Sequence, residues 1–201
     1  MSAELRINAD ALSELLSVAD DMEKAVSGSD VSLVMGMAMM EVIKNHFADI
    51  AQDDTHHKTA EKLGATPTGV YEEAGRRTDQ PEVESDGVSV SIHQAAVAQR
   101  FFGGPIATKN VNWLTIPARA ESYGRLAKEF EDLRFILFPS GAAALVDPNE
   151  GRFNIQPYFW LVKHVLQPAD PTVLPDDEEI LKAVIERADA YIMRVWGKGR
   201  P

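Results

Sequence analysis

The run VSLVMGMAMMEVIKNHF, from Val31 to Phe47, constrains this chain more than any other stretch, because it carries no charge before Glu41. A segment so apolar has to be covered. Its uncharged part is too short to cross a bilayer, which makes it a core helix. The pattern predicts a helix that starts at Ser29 or Asp30 and runs to about Ala51. The first part is apolar nearly all round, so the helix needs cover on more than one side, from the rest of the chain or from a second subunit.

Around this helix the pattern reads as an α+β fold, an antiparallel β-sheet packed by helices, with an N-terminal helical pair and a C-terminal helix. The other member of the pair follows a brief strand at ELRI and carries Leu12, Leu15, Leu16, Ala19, Met22 and Val26 at helical spacing before Gly28 ends it. Asp53 to Thr68 is polar and reads as a mobile loop with a short helical turn. GVYEEAGRRT is expected as a short helix, and Asp86-Gly87 in PEVESDGVSVSI as a hairpin turn that leaves Val88, Val90 and Ile92 on one face. WLTIPA reads as a strand, ESYGRLAKEF as a helix, and LRFILFPSGAAALV as two strands turning at Pro139-Ser140-Gly141. YFWLVKHVLQ is expected as one strand with Trp160 in the core. After Pro175, Asp176 and Glu179 have capping-box spacing and open a final helix with the stripe Ile180, Leu181, Val184, Ile185, Ala188, Ile192 and Val195. No linker or repeat interrupts the chain. The expectation is one domain over 1–201: helices over 1–52, a core with its hairpin over 53–147, and a strand and helix over 148–201.

Charge and composition exclude several classes of function. With 31 acidic against 20 basic residues the net charge is −11, which disfavours a broad grip on a phosphate backbone. The lack of cysteine removes disulfides, thiolate zinc sites and cysteine nucleophiles. The start MSAELRINADALSELL places acids early and has no basic segment leading into an apolar run, so export by a secretory signal is not indicated.

The most unusual local feature is RFFGGP, Arg100 to Pro105. QAAVAQRFF fits a short helix that Gly103, Gly104 and Pro105 stop. Phe101 and Phe102 are successive on that helix, so their side chains point about 100° apart and cannot both enter one core. One is expected to pack and the other to seek a partner. Phe101, Phe102, Gly103, Gly104, Pro105 and Trp113, in the strand-like run that follows, are therefore the candidate interface residues.

Catalytic patterns are missing. No phosphate loop, dinucleotide fingerprint or nucleophile elbow occurs, Ser140-Gly141 included. Glu72-Glu73 and Asp176-Asp177 read as solvated helix ends. His56-His57, with Asp53 and Asp54 beside them, suggest a metal, but adjacent residues seldom face one ion, and a third imidazole would have to come from His46, His93 or His164. No catalytic residue, metal or cofactor is expected. The alternative is a small metal-dependent hydrolase using the His56/His57 loop, with peptidoglycan or a nucleotide as the substrate; a third reading, a regulatory binding module, fits the acidity poorly.

The succession VIKNHF, HHKTAEKLGATPTGVYEEAGRRT, VESDGVSVSI, AQRFFGGPIATKNVNWLTIPA and LRFILFPSGAAALV resembles the virion-morphogenesis proteins of Mu-like tailed phages and prophages, grouped with tail-completion and neck components. The resemblance runs from about Met35 to Val146, and RFFGG followed by LTIPA is its most telling part. It implies a structural role in the virion: part of a ring at the head–tail junction or tail end, as connector, stopper, tail completion or terminator. Its partners would be copies of itself and other neck, portal-side or tail proteins, with DNA passing through the lumen without specific binding and no membrane. Such a protein is made in the host bacterial cytoplasm and ends in the virion. The family has no catalytic residues to carry over.

Overall fold

The computed structural model describes residues 28–85, 87–150 and 155–198. The strand at ELRI, the helix expected over Leu12–Val26 and Asp86 itself lie outside these residues. The architecture is mixed α+β with antiparallel sheets and a C-terminal helix. No linker is legible in the sequence, yet contacts within the chain gather into two compact units. One takes the residues up to Ile43, Thr78–Ile92 and those from Pro175 on; the other takes Lys44–Arg77 and His93–Leu174.

The apolar run forms helix α1, Ser29–Ile50, whose earlier part belongs to the first unit. There Val31, Ala38 and Ile43 are buried while Leu33 and Met37 remain exposed, so the cover on several sides that the sequence calls for is incomplete among the described residues. Gly36 explains the glycine inside this helix: a Cβ there would stand 2.5 Å from both Pro81 Cβ and Val88 Cγ2. Its absence lets the hairpin of β1, Glu82–Val83, and β2, Val88–Ser89, lie directly on the helix. Val88, Val90 and Ile92 are all half-buried.

The C-terminal helix opens where expected. Asp176 accepts from the Glu178 and Ile180 backbone N–H groups, and the last helix of the chain spans Asp177–Lys198. Its stripe is only partly covered: Ile180, Val184, Ala188 and Ile192 are half-buried, but Leu181, Ile185 and Val195 stay exposed. Arg187 pairs with Glu41 at 2.6 Å, and the Tyr191 hydroxyl reaches Asp30 at 3.4 Å.

The second unit begins with the end of α1. The polar stretch 53–68 bears the short helical turn expected within it. It forms a 3-10 turn at Asp54–His56 and helix α2, Lys58–Leu63, with His57 and Ala60 buried. Helix α3, Val70–Arg76, follows and carries the buried Tyr71, which stacks on the buried Phe47 at 6.5 Å between centroids. Helix α4, Ala95–Phe102, buries Val97.

Two sheets complete this unit. β3, Gly104–Ala107, pairs with β8, His164–Gln167, as a two-stranded ribbon. β4, Leu114–Pro117, β5, Arg134–Leu137, β6, Ala143–Val146, and β7, Phe159–Val162, form a four-stranded sheet in the order β4-β7-β6-β5. The single strand expected over YFWLVKHVLQ is thus two, interrupted at Lys163 and shared between the sheets. Trp160 is not a core residue: alternation along β7 buries Phe159 and Leu161 on one face and leaves Trp160 exposed on the other, with its ring tilted against Phe138. ESYGRLAKEF is not a helix. It makes 3-10 turns at Ala120–Ser122 and Ala127–Glu129, and Gly124 between them, at φ +74°, takes the chain out of helical geometry. Among the described residues no helix is long and apolar enough to cross a membrane.

Candidate functional site

Helix α4 ends as its sequence requires. Gly103 adopts φ +66° and ψ −158°, a conformation essentially reserved for glycine, and its N–H donates to Gln99 O at 2.9 Å. A Cβ here would meet Ala169 N at 2.5 Å and Gln167 O at 2.8 Å, so bare backbone is needed twice over. The chain passes directly into β3. Phe101 is half-buried, whereas Phe102 is 76% exposed, the two rings meeting edge to face at 5.0 Å.

The β3–β8 ribbon that follows also carries exposed residues. Burial alternates along both strands, turning Pro105 and Ala107 outward together with their cross-strand partners Leu166 and His164. Leu166 is 75% exposed. Trp113 does not join this group. It is half-buried just before β4, and the Lys163 ammonium sits 4.0 Å from its ring centroid while donating to Asn112 O. Lys163 lies next to His164, at the ribbon end away from the Gly104–Gln167 pair, roughly 16 Å along the strands from Gly103.

Arg100 and Phe102 are two residues apart on α4 and so point to nearly opposite sides of the helix. Arg100 reaches into a cleft of about 540 Å³ whose lining includes His56, Lys58, Tyr71, Tyr123 and Asp170. Its guanidinium donates to the Tyr71 hydroxyl at 2.5 Å and, at 3.4 Å, to the His56 carbonyl. The 9%-accessible His56 side chain has its buried Nδ1 without a hydrogen-bond partner among the described residues, 3.9 Å from Asp170 Oδ2. Asp170 accepts from the Thr172 hydroxyl at 2.5 Å and from the Thr172 N–H. Those bonds, the hydroxyl's first, hold its carboxyl below the usual carboxylate range, with His56 and Lys58 adding to the effect.

His56 and His57 do not act as a pair. The His57 Nε2 is 3.1 Å from the Ala51 carbonyl, His46 Nε2 is 3.0 Å from the Thr172 carbonyl, and His164 lies outward on the ribbon. Among the described residues no three His, Asp or Glu side chains gather where they could hold a metal ion. The paired acids are also accounted for locally: Glu73 is bound by Arg76 and Arg77, which lower its pKa. Sequence reasoning found the Phe102 end of α4 but missed Arg100, Tyr71, Tyr123 and Asp170 as one group, since no spacing relates residues drawn from four separate segments.

No protein-family model, curated protein or solved structure matches this chain.

Proposed function

We propose that the chain is a structural virion protein of a tailed phage or prophage, forming part of a ring at the head–tail junction or tail end through protein–protein contacts. The observation that carries this reading is Phe102. A large aromatic ring stands 76% exposed at a helix end that backbone geometry holds in place, next to a ribbon turning Pro105 and Leu166 outward. Such a rigid, exposed aromatic is the kind of anchor from which interface energy comes. The resemblance of the 35–146 region to neck and tail-completion proteins supplies the particular assembly. The net charge of −11 suits a lumen through which DNA passes without sticking.

The reading is tested by Phe102→Glu and Leu166→Glu in a complementation assay for head–tail joining, with melting of the same purified variants. Normal melting with lost joining is the expected result; full complementation by both variants sinks the proposal. Like-charge repulsion should keep the isolated chain a monomer or small oligomer until a portal-side or tail-side template is present, and a stable large ring in light scattering without partners contradicts that. The hydrolase reading has less to stand on, because His46 and His57 both engage backbone carbonyls. Stoichiometric zinc or manganese in the purified protein would restore it.

A further inference from the structure

The cleft on the Arg100 side of α4 plays no part in the assembly reading, and two of its groups have bonding capacity that the protein does not use. Among the described residues Arg100 gives hydrogen bonds only to a phenol and a carbonyl and has no carboxylate partner. Its other N–H groups are not sealed from solvent. A half-buried guanidinium without a counter-charge has lost hydration that no protein anion replaces, which makes its surroundings favourable to an anion. His56 presents a buried Nδ1 with no partner, and the nearest acid oxygen, Asp170 Oδ2, is too distant at 3.9 Å for a direct bond. A single hydroxyl placed beside that pair can bond to both, accepting from Nδ1–H and donating to the carboxylate.

We propose that this cleft binds a small organic oxyanion, a carboxylate or phosphate monoester that carries a hydroxyl group next to its charge. The oxyanion lies on the free N–H groups of Arg100, with Lys58 adding positive charge at the exposed rim. The hydroxyl bridges His56 and Asp170, and Tyr71 and Tyr123 line the wall. Asp170 gives the site its selectivity: an anion without a hydroxyl brings its charge toward an unbridged carboxylate, whereas a hydroxylated one offers that carboxylate a donor. The site is independent of any role for Phe102, which points the other way.

The test is a titration of the full-length protein by NMR, following the Arg100 Nε–H and His56 ring resonances. Four probes are used: malate and succinate as carboxylates with and without the hydroxyl, and glycerol 3-phosphate and methyl phosphate as the phosphate pair. Saturable shifts at both residues are expected, with the hydroxylated member of at least one pair binding about tenfold more tightly, the value of one well-made pair of hydrogen bonds. Which pair shows this tells carboxylate from phosphate. Asp170→Asn should erase the preference, and Arg100→Gln should remove binding while the exposed Arg77→Gln does not. Should Arg100→Gln fail to fold, Lys58→Gln provides the second measurement and should weaken binding severalfold. Absence of saturable shifts with all four probes overturns the proposal, as does binding that Asp170→Asn, Lys58→Gln and Arg100→Gln leave unchanged.

Discussion

The two sides of helix α4 differ in how their surface is satisfied. On the Arg100 side, most polar groups are tied to neighbours, Arg100 to Tyr71, the Asp170 N–H to Arg100 O, and the Asp170 carboxylate to Thr172, with the His56 Nδ1 left over. On the Phe102 side the surface is apolar and outward, and the stiffness beneath it comes from backbone, through Gly103 and the β3–β8 pairing. Hydrogen bonds that involve side chains dominate the first side; backbone geometry holds the second. The second therefore leaves apolar area exposed, which the proposed contact role would use.

Mutation should separate the two sides by magnitude. The largest effect is expected at Tyr71, buried against Phe47 and the acceptor for Arg100: Tyr71→Ala should cost about 3–5 kcal/mol in denaturant unfolding. A loss under about 1 kcal/mol would mean that the cleft side is not anchored through this ring. Gly103→Ala should come next, at about 2 kcal/mol or more, because its Cβ would run into backbone atoms that cannot turn aside. Gly104→Ala should cost less, about 1 kcal/mol, since at φ +111° it is strained but meets nothing closer than 4.0 Å. Equal losses at both positions would show that strain, not contact, dominates this turn.

Phe102→Ala should change stability by no more than about 0.5 kcal/mol while weakening assembly by about 2 kcal/mol or more, read from melting and from a binding or joining assay. A substantial drop in stability would make the Phe102 side a packing surface and erase the contrast. The smallest effect is acid dependence. The Asp170 carboxyl, held low by Thr172, contributes stability above its ordinary value near 3.8, and this is lost as pH falls through its lower folded value. Asp170→Asn should flatten that part of an acid-unfolding curve, whereas Phe102→Ala should leave the curve's shape unchanged.

Features written in contiguous residues were legible in the sequence. The stops at Gly103 and Pro139-Ser140-Gly141 and the acids opening the last helix each act on adjacent backbone, and each element formed. ESYGRLAKEF misled because Tyr123, Leu126, Ala127 and Phe130 imitate a helical stripe, while the left-handed Gly124 breaks the helix such a stripe would need. Residues 53–68 hold the short helical turn expected of them, but the burial of His57 and Ala60 rests on polar and small side chains, which no hydropathy pattern marks. Phe102 could be singled out as one of a surplus pair, but only α4's placement decides that Phe101 is the ring drawn inward. The cleft was invisible for the same reason, being a product of packing.

Lys163 is the single residue between β7 and β8, so the strand that carries Leu166 continues almost at once into one held between β4 and β6. If a neighbour pulls on the ribbon along its length, the load passes into β7 through this covalent link. Antiparallel ladder bonds lie across the strand direction, so such a pull shears the bonds on both sides of β7 together instead of opening them one after another. An element fastened this way can transmit tension into the sheet behind it, a mechanical property useful to any part that must stay joined while something is driven past it.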